Sequence, residues 1–131
     1  MATASDIIRR ALKIAGVLDP QQAMDATDAQ DALDTLNAML AEWHEAGIGL
    51  PDYSLGSLSD PLATDAADRE AIAYELALRV APEYGVSLPP EAAAVGQMAI
   101  SRLRLRYFQP GSVDFSELPL TCPTFNIVTG Q

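Results

Sequence analysis

Eighteen carboxylates, one imidazole and one thiol are the side chains here with chemistry to offer. Glycoside hydrolysis needs only two carboxylates facing each other across a cleft. With 18 acids in 131 residues such pairs arise by chance, and exposed acids are ordinarily a solvated face. His44 follows Trp43 just before Gly47, in the last turn of a helix, where a cation complements the dipole. No Ser or Cys motif stands beside it. Cys122, between Thr121 and Pro123, is away from any helix N-terminus that would activate it. One Cys excludes an internal disulfide, and one His with one Cys is too few for a structural zinc site. There is no phosphate-cradling Gly-rich loop and no metal-ligand spacing. The sequence therefore supplies no catalytic, cofactor or metal residues, and the expectation is a protein that is not an enzyme.

The basic stretch SRLRLRYF, Ser101 to Phe108, says more. Arg102, Arg104 and Arg106 fall within five residues. One reading is cationic side chains at a helix C-terminus. The other is an anchor for an acidic or carboxylate-bearing partner, with Tyr107 and Phe108 as apolar contacts. Arg102 and Arg106, four apart, share a helix face, while Arg104 points elsewhere. A second copy of this acidic chain would qualify as the partner.

The overall charge supports that reasoning. Eight Lys and Arg against 18 Asp and Glu give a net charge of −10. Residues 14–101 hold 15 acids against only Arg69 and Arg79. Such a surface does not grip DNA, RNA or an anionic membrane. No apolar run approaches the roughly 18–20 residues that span a bilayer. The N-terminal MATASDIIRR has its charges in the wrong order for a secretory signal. At 49% hydrophobic and 20% charged residues, with mean hydropathy +0.08, the chain reads as one soluble, cytosolic globular domain.

Four helices must position these residues. The first is expected from Ser5, as cap, to Ala15, with Ile7, Ile8, Ala11 and Leu12 on its apolar period and Gly16 as the stop. The second is expected to start at Thr27, whose spacing to Gln30 suits a capping box, and to end at Gly47. Its Ala29, Leu33, Leu36, Met39, Leu40 and Trp43 share one arc. Asp28, Asp31, Asp34, Glu42 and Glu45 share the opposite one, an acidic outer face. Gly49 to Thr64, with Pro51, Gly56 and Pro61, is a long loop, of a length more often functional than idle. The third helix starts near Thr64 or Asp65 and stops near Ala81, before Pro82. Ile72, Leu76 and Val80 define one stripe, while Ala71, Tyr74, Leu78 and Ala81 occupy the other side. A helix so apolar is central, or is covered by a second chain. Pro89 and Pro90 open a fourth helix running to about Phe108. One of its faces carries Gly96, Ile100, Leu103 and Tyr107; Ala94, Met98 and Leu105 form another, free for a neighbour.

After Phe108 the chain changes character. Pro110, Gly111, Pro119, Pro123 and Gly130 forbid a helix, and Thr124 to Thr129 reads as a short strand. Phe115, Phe125, Ile127 and Val128 make this tail apolar. An apolar extended tail on a compact bundle suits an arm for another chain. The expected architecture is all-α: a small four-helix bundle over residues 1–108 with a long loop, and an extended C-terminal arm over residues 109–131.

Two stretches taken together are informative: LNAMLAEWHEAGI (Leu36 to Ile48) and, across the loop, LALRVAPEYGV (Leu76 to Val86). In this order the chain resembles the tailed-phage head-to-tail adaptor family, whose members are also called head-completion proteins, tail accessory factors or packaged-DNA stabilisation proteins. The resemblance extends to the N-terminal DIIRRALKIAGVLDP and the fourth helix. It covers roughly residues 5–108, most clearly 30–86.

The resemblance implies a non-enzymatic ring protein of the virion, made in the bacterial host cytoplasm. Copies, typically twelve, assemble beneath the portal protein, extend or close the DNA channel, and give tail or stopper proteins a platform. The partners so implied are sibling copies, the portal, tail proteins, and genomic DNA passing through without specific binding; no membrane is involved. An acidic channel lining repels phosphate and lets the duplex slide. The competing reading is an acidic helical interaction or inhibitor module of the DNA-mimic type, without ring assembly. A carboxylate-pair hydrolase is the third.

Overall fold

The computed structural model describes residues 2–51 and 54–108. Four helices follow in order: α1 (Ala4–Ile14), α2 (Ala26–Glu45), α3 (Ala66–Val80) and α4 (Pro90–Tyr107), with a 3-10 turn, Ala81–Tyr84, closing α3. Among the described residues there is no strand, only isolated bridges pairing Thr3 with Pro61 and Ile48 with Phe108. The fold is the all-α four-helix bundle expected of the sequence. The expected arm over residues 109–131, with Phe115, Cys122, Phe125, Ile127 and Val128, lies outside the described residues.

Two helix starts differ from the expectation. Thr3, not Ser5, caps α1: its hydroxyl accepts the Asp6 N–H at 3.4 Å, and the Asp6 carboxylate accepts the Thr3 N–H at 3.0 Å. This reciprocal box outcompetes Ser5, whose own N–H is taken by the Leu58 carbonyl at 2.9 Å. The Thr3 backbone N–H, and then its hydroxyl, hold the Asp6 carboxyl below the usual range. On α2 the cap is Asp25, which accepts the Thr27 N–H at 3.2 Å. Gln30 turns its amide to Asp34 instead, so the expected Thr27–Gln30 box does not form.

The core is built from the helical stripes. Ile7, Ile8 and Leu12 of α1, Leu33, Leu36, Met39, Leu40 and Trp43 of α2, and Ile72, Leu76 and Val80 of α3 are all buried. Each such side chain contributes about 1.5–3 kcal/mol by leaving water. Helix α3 packs against α1, α2 and α4, which is why it is apolar on more than one side. Gly96 makes the α3–α4 approach close, because a Cβ there would sit 3.1 Å from Tyr74 Cβ. Gly47 takes φ +87° to end α2, a conformation that costs a side chain dearly.

The long connection from α2 to α3 is part of the scaffold. Leu50, Leu55 and Leu62 are buried. Asn37 on α2 holds Leu55 twice, donating to its carbonyl and accepting its N–H, each at 2.8 Å. Asp60 closes the loop on itself by accepting Gly56 N–H, Ser57 N–H and the Ser57 hydroxyl, which holds its carboxyl low. Asp60 and Leu58 then offer their carbonyls to Ala4 and Ser5, satisfying N–H groups that a helix start leaves unpaired.

Candidate functional site

Helix α4 presents two unlike faces. Gly96, Ile100 and Leu103 are buried against the bundle, with Tyr107 half-buried beside them. Outward stand Val95, Met98, Leu105 and Phe108, with Leu105 83% and Met98 60% exposed. Single exposed apolar side chains are ordinary on a protein surface; here four of them lie along one helix and its C-cap. Arg102 and Arg104 are exposed and flank this row. Arg104 and Phe108 also wall a groove of about 360 Å³ with Glu42, Trp43, Ala46 and Ile48. The groove exists because the ends of α2 and α4 are tied together: Gly49 N–H donates to the Tyr107 carbonyl at 2.8 Å, beside the Ile48–Phe108 bridge.

The remaining members of the basic stretch turn inward. Arg106 reaches Asp68 at 3.0 Å and Asp65 at 3.5 Å. The Tyr107 hydroxyl donates to the second Asp68 oxygen at 2.7 Å. That bond first, and burial second, raise the Tyr107 hydroxyl above its ordinary pKa. Asp68 is the one buried charged residue among those described, and the sequence reading did not single it out. A signal was present: Asp68 stands four and eight residues before Ile72 and Leu76, on the inner stripe of α3, where an acid requires a partner.

The five acids of the α2 arc lie in differing surroundings. Asp31, Asp34 and Glu45 are exposed. Asp28 is half-buried; burial of the Tyr84 hydroxyl chiefly, with the Asp28 carboxylate next, pushes Tyr84 up to about 12. Glu42 pairs with Arg79 of α3 at 2.8 Å, and that hydrogen bond holds its carboxyl low. Arg79 also reaches Glu75 at 3.4 Å. His44 is exposed in the last turn of α2, at the dipole end expected of it.

A further groove of about 350 Å³ separates α1 from α3, lined by Asp6, Arg10, Arg69 and Glu70 among others. Its charges are largely engaged: Arg10 grips Glu70 through two nitrogens at 3.2 and 3.3 Å, and Arg69 donates to the Thr64 carbonyl. Among the described residues no group of three or more His, Cys, Asp or Glu is placed to hold a metal. No described helix is long and apolar enough to cross a membrane.

The model of the P22 tail accessory factor family matches residues 1–114, taking in all four helices and their connections. The chain belongs to the P22 tail accessory factor family. No curated protein matches it. As a member, the protein is a bacteriophage tail-associated, virion class of protein. The match includes the basic end of α4 and the acidic arc of α2, and it ends six residues after Phe108. Residues 115–131 lie beyond the matched stretch.

Proposed function

We propose that this tail accessory factor is a structural head-to-tail adaptor. Copies, about twelve on the family's pattern, form a closed ring beneath the portal, extend or close the DNA channel and carry the tail or stopper proteins. Residues 1–108 are the ring-forming bundle and residues 109–131 the arm. Its role is assembly and not catalysis. The family match over residues 1–114 carries this reading, and the exposed row on α4 supports it, because a head-to-tail ring requires two different patches on each copy, complementary to one another.

Within that ring, Arg102 and Arg104 anchor a carboxylate-bearing surface. Arg106 and Tyr107 brace that end of α4 through Asp68 and offer their exposed sides to the same contact. The acidic arc of α2, with Asp28, Asp31, Asp34, Glu42 and Glu45, faces the water-filled channel or the outer surface, so that genomic DNA passes without binding. Phe115, Phe125, Ile127 and Val128 contact a neighbouring chain. A particle reconstruction tests the reading: a ring of touching copies under the portal is expected. Isolated copies, or a soluble monomer that ignores the portal, would leave the acidic interaction module as the better account.

A further inference from the structure

The side chains of the outer row of α4, from Val95 through Met98 and Leu105 to Phe108, are half or more exposed. It spans about 20 Å at 1.5 Å per residue. The exposed guanidinium groups of Arg102 and Arg104 border it, and neither is ion-paired among the described residues, unlike Arg10, Arg79 and Arg106. A second α4 docked symmetrically on the row would bring these arginines close to their own copies, and like charge disfavours that pairing.

The same chain carries a segment of complementary chemistry. Residues 114–120, DFSELPL, contain Phe115, Leu118 and Leu120 beside Asp114 and Glu117. After Glu91 these are the only acids in the sequence. Seven extended residues cover about 23 Å at 3.3 Å each, the length of the row. The described chain ends at Phe108, on the rim of the row, with 23 residues still to follow.

We propose that the outer face of α4 is the docking site for residues 109–131 of a second copy, with Asp114 and Glu117 meeting Arg102 and Arg104 and the arm's apolar side chains covering Met98, Leu105 and Phe108. This rests on the ring reading above and specifies its contact: the arm is the donor patch and α4 the acceptor, as a head-to-tail ring demands.

The test uses free full-length subunits and a fluorescent synthetic peptide of residues 109–131, carrying Cys122→Ser to prevent disulfides. Saturable binding is expected. It should weaken at least tenfold with Met98→Asp and Leu105→Asp together, and likewise with Arg102→Glu and Arg104→Glu together. All four positions are exposed, so far-UV circular dichroism should be unchanged; the arginine pair decides the matter if the apolar pair misfolds. An arm folded back on its own α4 would act at a millimolar effective concentration and exclude the peptide. Absence of binding therefore overturns the proposal, as does equal binding by both variants. No portal is present, so the result stands apart from whether rings form on it. Rings without peptide binding would sink this inference alone, and peptide binding without rings would sink the adaptor reading alone.

Discussion

Asp68 of α3 accepts a 2.7 Å hydrogen bond from the Tyr107 hydroxyl of α4, and its other oxygen takes Arg106 at 3.0 Å. One buried carboxylate thus fixes the end of α4 from which Arg104, Leu105 and Phe108 project, so the exposed row inherits its position from an interior acid.

Removing that acid should loosen this end of the bundle. A hydrogen bond to a charged group is worth about 1.5–3 kcal/mol, and Arg106 is half exposed, so water replaces part of its pairing. Asp68→Ala should lower unfolding stability by about 2 kcal/mol in urea, and Asp68→Asn by less, since its amide oxygen still accepts from Tyr107. Equal stability for all three proteins would show that the contact is not formed in solution.

The clamp on the loop can be tested in the same way. Asn37→Ala strands both the N–H and the carbonyl of Leu55. Unsatisfied groups of this kind cost about 1–3 kcal/mol. Stability should fall by about that amount, and amide exchange at Leu55 should quicken, while helix content by circular dichroism stays the same. A slow-exchanging Leu55 amide in the variant would contradict the assignment.

Tyr84 should make stability fall at high pH. Its hydroxyl is raised to about 12 from 10, by burial first and Asp28 second, so the folded state favours the protonated form. That contribution is whole below pH 10 and is lost as pH rises from about 10 to 12, where the unfolded chain has already released the proton. Ultraviolet titration should show late tyrosinate absorbance that Tyr84→Phe reduces by one tyrosine, leaving Tyr107 as the other raised hydroxyl. A titration of the variant identical to that of the parent would refute the shift.

On the α2 arc, Asp31→Lys, Asp34→Lys and Glu45→Lys together should leave folding intact, because the three carboxylates are exposed and screened within about 8 Å at physiological salt. If the arc lines the channel, particles built with this variant should assemble normally but release DNA more slowly. An arc on the outside predicts no change in release. Failure to assemble would place the arc inside a subunit contact, against both versions.

Deleting residues 109–131 should leave the four helices folded, since Pro110, Gly111, Pro119 and Pro123 give the tail no helical period and the buried stripes of α1, α2 and α3 pack on one another. Binding to the portal ring should weaken strongly. Loss of helical circular dichroism on truncation would show that the arm is part of the bundle.

Helical period, Gly47 and the paired prolines at 89 and 90 made the four helices legible from sequence alone, because those signals act within a few residues. The same local logic placed the buried stripe of α2 and its acidic arc, and left Met98 and Leu105 of α4 off the core face, though it set Ala94 beside them where the structure exposes Val95 and Phe108 as the larger apolar neighbours. Which oxygen wins a helix start was not legible. Thr3 and Asp25 displaced Ser5 and Thr27 because the α2–α3 loop returns across the bundle to occupy Ser5, and because Gln30 finds Asp34. Nor could spacing sort the arginines. Arg106 is four residues from Arg102, yet only Arg106 meets Asp65 and Asp68, which lie about forty residues earlier on another helix. Glu42 and Arg79, 37 apart, meet for the same reason. Periodicity tells which face of a helix is apolar; only the packing of α3 among α1, α2 and α4 decides which charge on that face finds an opposite charge.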